Sequence, residues 1–187
     1  MTRIRSSDTD PLRIATLLVG DQGGAIGVTF APGKQQDTAM TGIWRRDLDA
    51  DLAAICAWGA THLITLLETH EFVDLKIEAL PDLATVCGLL WHGLPITDGA
   101  APDQRFLTPW VSLSRQLITA MRGGERVVVH CKGGLGRAGT VACLLLLDSR
   151  TATDADDAMA RVRAVRPGAI ETQAQEAFLR DWTREAE

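Results

Sequence analysis

The string His130-Cys131-Lys132-Gly133-Gly134-Leu135-Gly136-Arg137 gathers the most reactive residue types of this chain into one short segment. Three glycines between a cysteine and an arginine let the main chain curl, so that successive N–H groups converge on one point and form a nest for an anion. An apolar helical pattern follows at once, and its N-terminus offers unpaired N–H groups and a partial positive charge to the same anion. Those features stabilise a thiolate at Cys131 and make it a nucleophile near neutral pH. Arg137 sits where loop becomes helix, and its planar fork can grip two oxygens of a tetrahedral oxyanion. Lys132, Gly133, Gly134, Leu135 and Gly136 would line the nest with backbone.

A buried structural thiol is the plain alternative, and we adopt it for Cys56, Cys87 and Cys143, which sit in helical or strand-like stretches without such neighbours. Two other loops compete. Gly134-Leu135-Gly136-Arg137-Ala138-Gly139 fits Gly-x-Gly-x-x-Gly, but the acids about twenty residues on, Asp154 and Asp157, open a helix where a dinucleotide fold ends a second strand. Around Gly33-Lys34 a Walker loop is excluded, because Val28 stands where glycine is needed and Gln35 replaces serine or threonine.

The elements that must hold this loop follow from periodicity. Expected strands are Leu12–Val19, Ile26–Phe30, His62–Leu67, Leu94–Thr97 and Arg126–His130. Expected helices are Asp47–Trp58, Asp82–Trp91, Arg105–Arg122, Arg137–Asp148, Asp154–Val165 and Thr172–Glu185. Strand followed by helix, repeated, implies an α/β fold with a central, mostly parallel sheet of about five strands and a helical C-terminal segment. Ligands of such sheets bind beyond the carboxyl ends of the strands, which directs attention to the loops after Phe30, Leu67, Thr97 and His130.

The 187 residues suit one domain, 12–187, after a flexible lead-in over 1–11. Hydrophobic residues at 46% and charged residues at 23% allow a real core. A formal net charge of −5 argues against broad nucleic-acid binding. Val141 to Leu147 is the longest apolar run, far short of the ~20 residues that span a bilayer, so no membrane insertion is expected. Four cysteines without Cys-x-x-Cys spacing suit reduced thiols in the cytoplasm, and no metal or other cofactor is called for.

His-Cys, five residues, then Arg resembles the signature of the cysteine-dependent protein-tyrosine and dual-specificity phosphatases. Within that superfamily the chain is similar to the kinase-associated phosphatase branch. Gly27-Val28-Thr29-Phe30-Ala31-Pro32-Gly33-Lys34, Pro95-Ile96-Thr97-Asp98-Gly99 with Pro102-Asp103, and Gly168-Ala169-Ile170-Glu171-Thr172 carry it, over roughly residues 27–182. The resemblance implies the compact phosphatase fold, hydrolysis of a phosphorylated protein or another phosphomonoester, and Cys131 as the nucleophile. It also matches Asp98 to the general acid, with Asp103 as second choice. By the same likeness His130 organises the loop and keeps the thiolate ionised, unless it is only a satisfied strand-end histidine. Gln175, and less securely Gln173 or Glu171, would place the hydrolytic water.

Two departures from the pattern matter. The family commonly has Ser or Thr after the signature arginine, whereas this chain has Ala138, which opens the alternative of a weak or binding-only module. The chain also contains no Tyr, so a deep tyrosine-walled cleft cannot be built and a shallower site is expected. Lys132 resembles loops that handle highly charged phosphates such as inositol lipids, though a solvated lysine explains it equally. Glu68, His70 and Glu71 follow a strand end and either face the substrate or form an ordinary solvated loop. A sulfur-transferring or arsenate-reducing enzyme is a further alternative, since these also cradle an anion beside a cysteine.

Overall fold

A computed structural model describes residues 4–39 and 42–182. In chain order the elements are strands β1 (Ile4–Ser6), β2 (Ala15–Val19), β3 (Gly24–Phe30), β4 (Gln35–Ala39) and β5 (Gly42–Arg45), helix α1 (Leu48–Ala57) and strand β6 (His62–Thr65). Helices α2 (Thr69–Asp74) and α3 (Leu80–Val86), strand β7 (Leu90–Gly93), helix α4 (Gln104–Arg122) and strand β8 (Arg126–Cys131) come next. Helices α5 (Gly136–Asp148), α6 (Ala155–Val165) and α7 (Gln173–Asp181) follow.

Strands β2-β3-β8-β6-β7 form a five-stranded sheet, parallel except for β2 at its edge. Central β8 is buried on both faces, which is why it reads as an unbroken Val127-Val128-Val129 run. Its alternation splits the core: Val127, Val129 and Cys131 join one cluster with α4 to α7, and Val128 joins the other with α1 and α3. Every residue of α5 from Gly136 to Leu147 is buried. A helix apolar all round belongs at the centre of the molecule, and here it aims its N-terminus at the end of β8.

Several boundaries differ from expectation. The segment 94–97 is not a strand: β7 ends at Gly93, and although Leu94 and Ile96 still donate to Thr65 and Leu66 carbonyls, Pro95 between them has no N–H for a ladder. The helix expected over 82–91 stops at Val86 because Gly88, at φ +86°, turns the chain, and Leu89 N–H closes back on Ala84 O at 3.0 Å. Leu90 and Trp91 are therefore strand. Residues 4–11 are not a loose lead-in. β1 pairs with β5, and with β4 they make a second, three-stranded sheet. Arg46 Nη1 donates to Ser6 O at 3.2 Å and Asp10 O at 2.7 Å, pinning that segment down. Residues 1–3 and the 183–185 end of the helix expected over 172–185 lie outside the described residues. Among the described residues no helix is long and apolar enough to cross a membrane.

Candidate active site

β8 delivers Cys131 to the carboxyl edge of the sheet, where the chain turns over the end of β3. At Gly134 the backbone takes φ +70° and a Cβ there would lie 2.4 Å from the Thr29 carbonyl, so glycine alone fits the curl. Cys131 is 3% exposed, and Gly134 N–H donates to its Sγ at 3.2 Å. That amide is the first of the nest.

Arg137 lies one residue inside α5 and is buried. Its Nη1 donates to Glu71 Oε2 at 2.6 Å and to Ile96 O at 3.0 Å, and its Nη2 donates to Glu71 Oε1 at 2.9 Å. Burial opposes its charge, but the Glu71 hydrogen bonds and the nearby Cys131 and Asp98 outweigh that and raise its pKa. Glu71 faces the same contest. Desolvation pushes its carboxyl up, and the Arg137 pair with the Glu68 N–H at 2.9 Å holds it below the ordinary carboxylate range. The Nε of Arg137 is buried with no hydrogen-bond partner among the described residues. A buried donor left unpaired is costly, and one beside a thiol nest is suited to an oxyanion oxygen.

Asp98 stands over this guanidinium, its Oδ1 3.1 Å from Nη2, with the side chain 70% exposed. Asp103 is accounted for differently: it caps α4, accepting Arg105 N–H at 2.9 Å. The segment between them is tied at both ends. Arg105 bonds Glu68 at 3.0 Å and Thr97 at 2.9 Å, while Thr172 Oγ1 donates to Gly99 O at 3.1 Å.

His130 is fully buried. Its Nε2 lies 2.7 Å from Thr65 Oγ1, which accepts the Trp91 indole N–H at 2.9 Å, and its Nδ1 faces Cys131 O at 3.4 Å. A carbonyl can only accept, so Nδ1 carries the proton and Thr65 donates to Nε2. Burial drives the imidazole pKa down to about 4. His130 is thus held toward its neutral form and braces the loop between Thr65 and the Cys131 carbonyl.

Gln175 is also buried, with both ends of its amide occupied. Oε1 accepts Glu171 N–H at 2.9 Å and Thr172 N–H at 3.3 Å, and Nε2 donates to Ala100 O at 3.3 Å. It fastens the start of α7 to the Asp98 segment. Glu171 comes closer to the nest, its Oε2 accepting Gly136 N–H at 2.8 Å, whereas Gln173 is exposed on α7. Thr140 cannot stand in for a hydroxyl after Arg137, because its Oγ1 is spent on Gly136 O at 2.8 Å inside the helix. Burial lifts the Cys143 thiol to about 12, as befits a core residue.

Sequence reasoning weighed Glu71 mainly as solvated and had no role for Thr65, Trp91 or Arg166. The legible signal was the Glu68-x-x-Glu71 spacing after a strand end, a helix-start pattern on the same side of the sheet as the loop. Arg166 braces the loop from outside, its Nε on Gly134 O at 2.9 Å and its Nη2 on Gly133 O at 3.0 Å.

With a cysteine in an amide nest, a paired arginine and an overhanging aspartate in place, comparison with known proteins becomes informative. Cyclin-dependent kinase inhibitor 3 of Mus musculus is 31% identical over 140 residues, covering 74% of this chain and 64% of that protein. The human protein of the same name is 29% identical over 139 residues, with the same coverage. This chain therefore spans less than two thirds of the length of these curated relatives. The solved structure of kinase-associated phosphatase, its catalytic cysteine replaced by serine, superposes with a TM-score of 0.77 at 25% identity, covering 90% of this chain and 92% of that one. The active form of Tk-PTP gives 0.65 at 25% identity, covering 88% and 93%. Residues 36–179 match the family described as "Swiss Army Knife protein, DSP-PTPase phosphatase domain", and the chain belongs to that phosphatase family.

Proposed function

We propose that this chain hydrolyses phosphomonoesters through a cysteinyl-phosphate, with phosphotyrosine and phosphoserine or phosphothreonine proteins as the substrate class. One observation carries the reading: the Cys131 sulfur already accepts a nest amide while the buried Nε of Arg137 has no protein partner.

In the first step the Cys131 thiolate attacks phosphorus in line, the S–P bond forms, the ester P–O bond breaks, and the proton of Asp98 goes to the departing oxygen. In the second, water attacks phosphorus, Asp98 takes a water proton, the S–P bond breaks, and phosphate leaves with the thiolate regenerated. The loop amides, that of Gly136 once Glu171 releases it, and the Arg137 guanidinium hold the equatorial oxygens in both steps. Phosphoproteins are favoured by the kinase-associated name of the matched structure and by a rim without tyrosine, which suits a shallow site. A mechanism that depends on a free thiol belongs in a reducing compartment, consistent with a cytoplasmic setting.

Rapid-quench hydrolysis of an aryl phosphate, with intact-mass detection of a phosphate adduct on Cys131, tests the assignment. Turnover that persists in Cys131→Ser would falsify it. The second reading, a phosphopeptide binder with little turnover, is favoured by Ala138 together with the committed Thr140 hydroxyl. It requires a stoichiometric burst followed by a slow steady state.

A further inference from the structure

A buried structural thiol describes Cys143 but not Cys56 and Cys87, since Cys87 is exposed and Cys56 only half-buried. The two belong to one place in the fold. Cys56 lies in the last turn of α1 and Cys87 caps the C-terminus of α3, the helices that lead into β6 and β7. Those strands run parallel to β8, so both cysteines sit at the amino edge of the sheet, opposite the edge that carries Cys131.

The two side chains meet. Cys56 Sγ donates to Cys87 O at 3.7 Å. A sulfur that touches the other residue's own carbonyl brings the two main chains within a side chain's reach, the approach a disulfide needs. Burial pushes the Cys56 thiol above its ordinary value, and the Cys87 thiol adds to that by charge and by a hydrogen bond, so the two thiols face each other.

Packing and hydrogen bonds fix both backbones. Leu52 and Ile55 of α1 share one buried cluster with Leu80, Ala84 and Leu89 on the α3 side, and Cys56 packs against it. Gly59 N–H closes on Cys56 O at 2.9 Å, Cys87 N–H on Leu83 O at 2.9 Å and Gly88 N–H on Thr85 O at 2.9 Å. Rotation of the two side chains about their Cα–Cβ bonds is the motion left for joining the sulfurs.

We propose that Cys56 and Cys87 form a reversible disulfide when the protein meets a hydroperoxide, at a modification site separate from the nest. The exposed Cys87 reacts first. Its thiolate attacks a peroxide oxygen, the O–O bond breaks, the leaving oxygen takes up a proton as water or alcohol, and Cys87 becomes a sulfenic acid. The Cys56 sulfur then attacks the Cys87 sulfur, the S–S bond forms, the S–O bond breaks, and hydroxide departs with the Cys56 proton as water. Two thiols give two electrons to one peroxide, and a dithiol or glutathione returns them. Because Cys56 holds its proton more firmly than an ordinary thiol, the second step quickens as pH rises. Disulfides in a reducing compartment are mostly of this transient kind. The bridge ties together the connections that feed β6 and β7, whose Thr65 and Trp91 stand behind His130. It needs no turnover at Cys131.

The Cys131→Ser protein, with Cys56, Cys87 and Cys143 as its thiols, tests this without interference from the nest. After about one equivalent of hydrogen peroxide the thiol count of the denatured chain is expected to fall from three to one, leaving Cys143. Tryptic peptide 47–76 should be joined to peptide 77–105, lighter than their sum by two hydrogens, and a dithiol should restore both thiols. In Cys56→Ser the reaction should stop at Cys87, where dimedone traps the sulfenic acid. Should that variant fail to melt cooperatively, the exposed Cys87→Ser change carries the comparison: the joined peptide disappears and Cys56 stays open to alkylation. Free Cys56 and Cys87 thiols once the peroxide is consumed, a Cys87 sulfonic acid beside an unmodified Cys56, or a bridge that links two chains overturns the proposal.

Discussion

Glu71 holds Arg137 by both terminal guanidinium nitrogens, at 2.6 and 2.9 Å, and leaves the buried Nε without a hydrogen-bond partner among the described residues. The pair sits in the interior, where breaking it strands a charge. Glu71→Gln is expected to cost about 3–5 kcal/mol of stability and, by loosening the guanidinium, to lower kcat about a hundredfold. Because the folded-state pKa of Glu71 is depressed, its contribution is present above the ordinary carboxylate value of 4.5 and disappears as pH falls through the lower folded value. Denaturant titrations of wild type and variant should therefore converge in acid. A variant with unchanged kcat would show that Arg137 is oriented by other contacts.

His130 supplies a second pH signature. Its pKa falls from 6.5 unfolded to about 4 folded, so the unfolded chain binds the extra proton first. Stability from keeping it neutral is complete above about pH 6.5 and is lost as pH drops toward 4, by up to about 3 kcal/mol. In His130→Gln the slope of unfolding free energy against pH across that window should flatten, as urea midpoints at half-unit pH steps would reveal. An identical slope in the variant would mean that other groups carry the acid lability.

How much of this was readable beforehand depended on how local each cause was. Cys131, its glycines and Arg137 act through adjacent backbone and helix start, so their spacing declares them, and the Val127–Val129 run marks its own strand. Glu71 reaches Arg137 from 66 positions away, and Trp91 reaches His130 through Thr65, so no window of sequence contains these partners. The polar Gln35-Gln36-Asp37 start of β4 lacks any strand signature and pairs only because β5 lies alongside. Pro95 did carry a signal against a strand at 94–97, and Gly88 one against a helix through Trp91; in both places apolar content outweighed the turn residue.

Asp98 is held near Arg137 yet stays open to solvent, as a group that must exchange a proton with both ester and water should be. Asp98→Asn is expected to reduce kcat/KM about 10²–10³-fold on an alkyl phosphate, whose leaving oxygen needs a proton. On a nitrophenyl ester, which departs without help, the loss in the first step should be much smaller. Stopped-flow comparison of the two esters checks this. Equal losses on both would assign Asp98 to binding, and no loss would return the role of acid to another group.

Ala138 occupies the position just after Arg137 and is completely buried, and the nearest hydroxyl along the helix, that of Thr140, is locked onto Gly136 O. Nothing on this helix turn therefore offers an O–H to the sulfur as it leaves phosphorus. Breakdown of the phosphoenzyme is expected to limit turnover, giving a burst of one equivalent of phenol. Ala138→Ser adds one oxygen in the first turn of α5. A hydrogen bond to a departing thiolate is worth about 1.5 kcal/mol, so kcat should rise about tenfold and the burst should shrink. KM for a good aryl phosphate should rise with kcat, since the slow second step would no longer accumulate intermediate. If kcat does not move while the burst persists, the barrier lies in activating water, and the Glu171 carboxylate against Gly136 N–H becomes the group to substitute next.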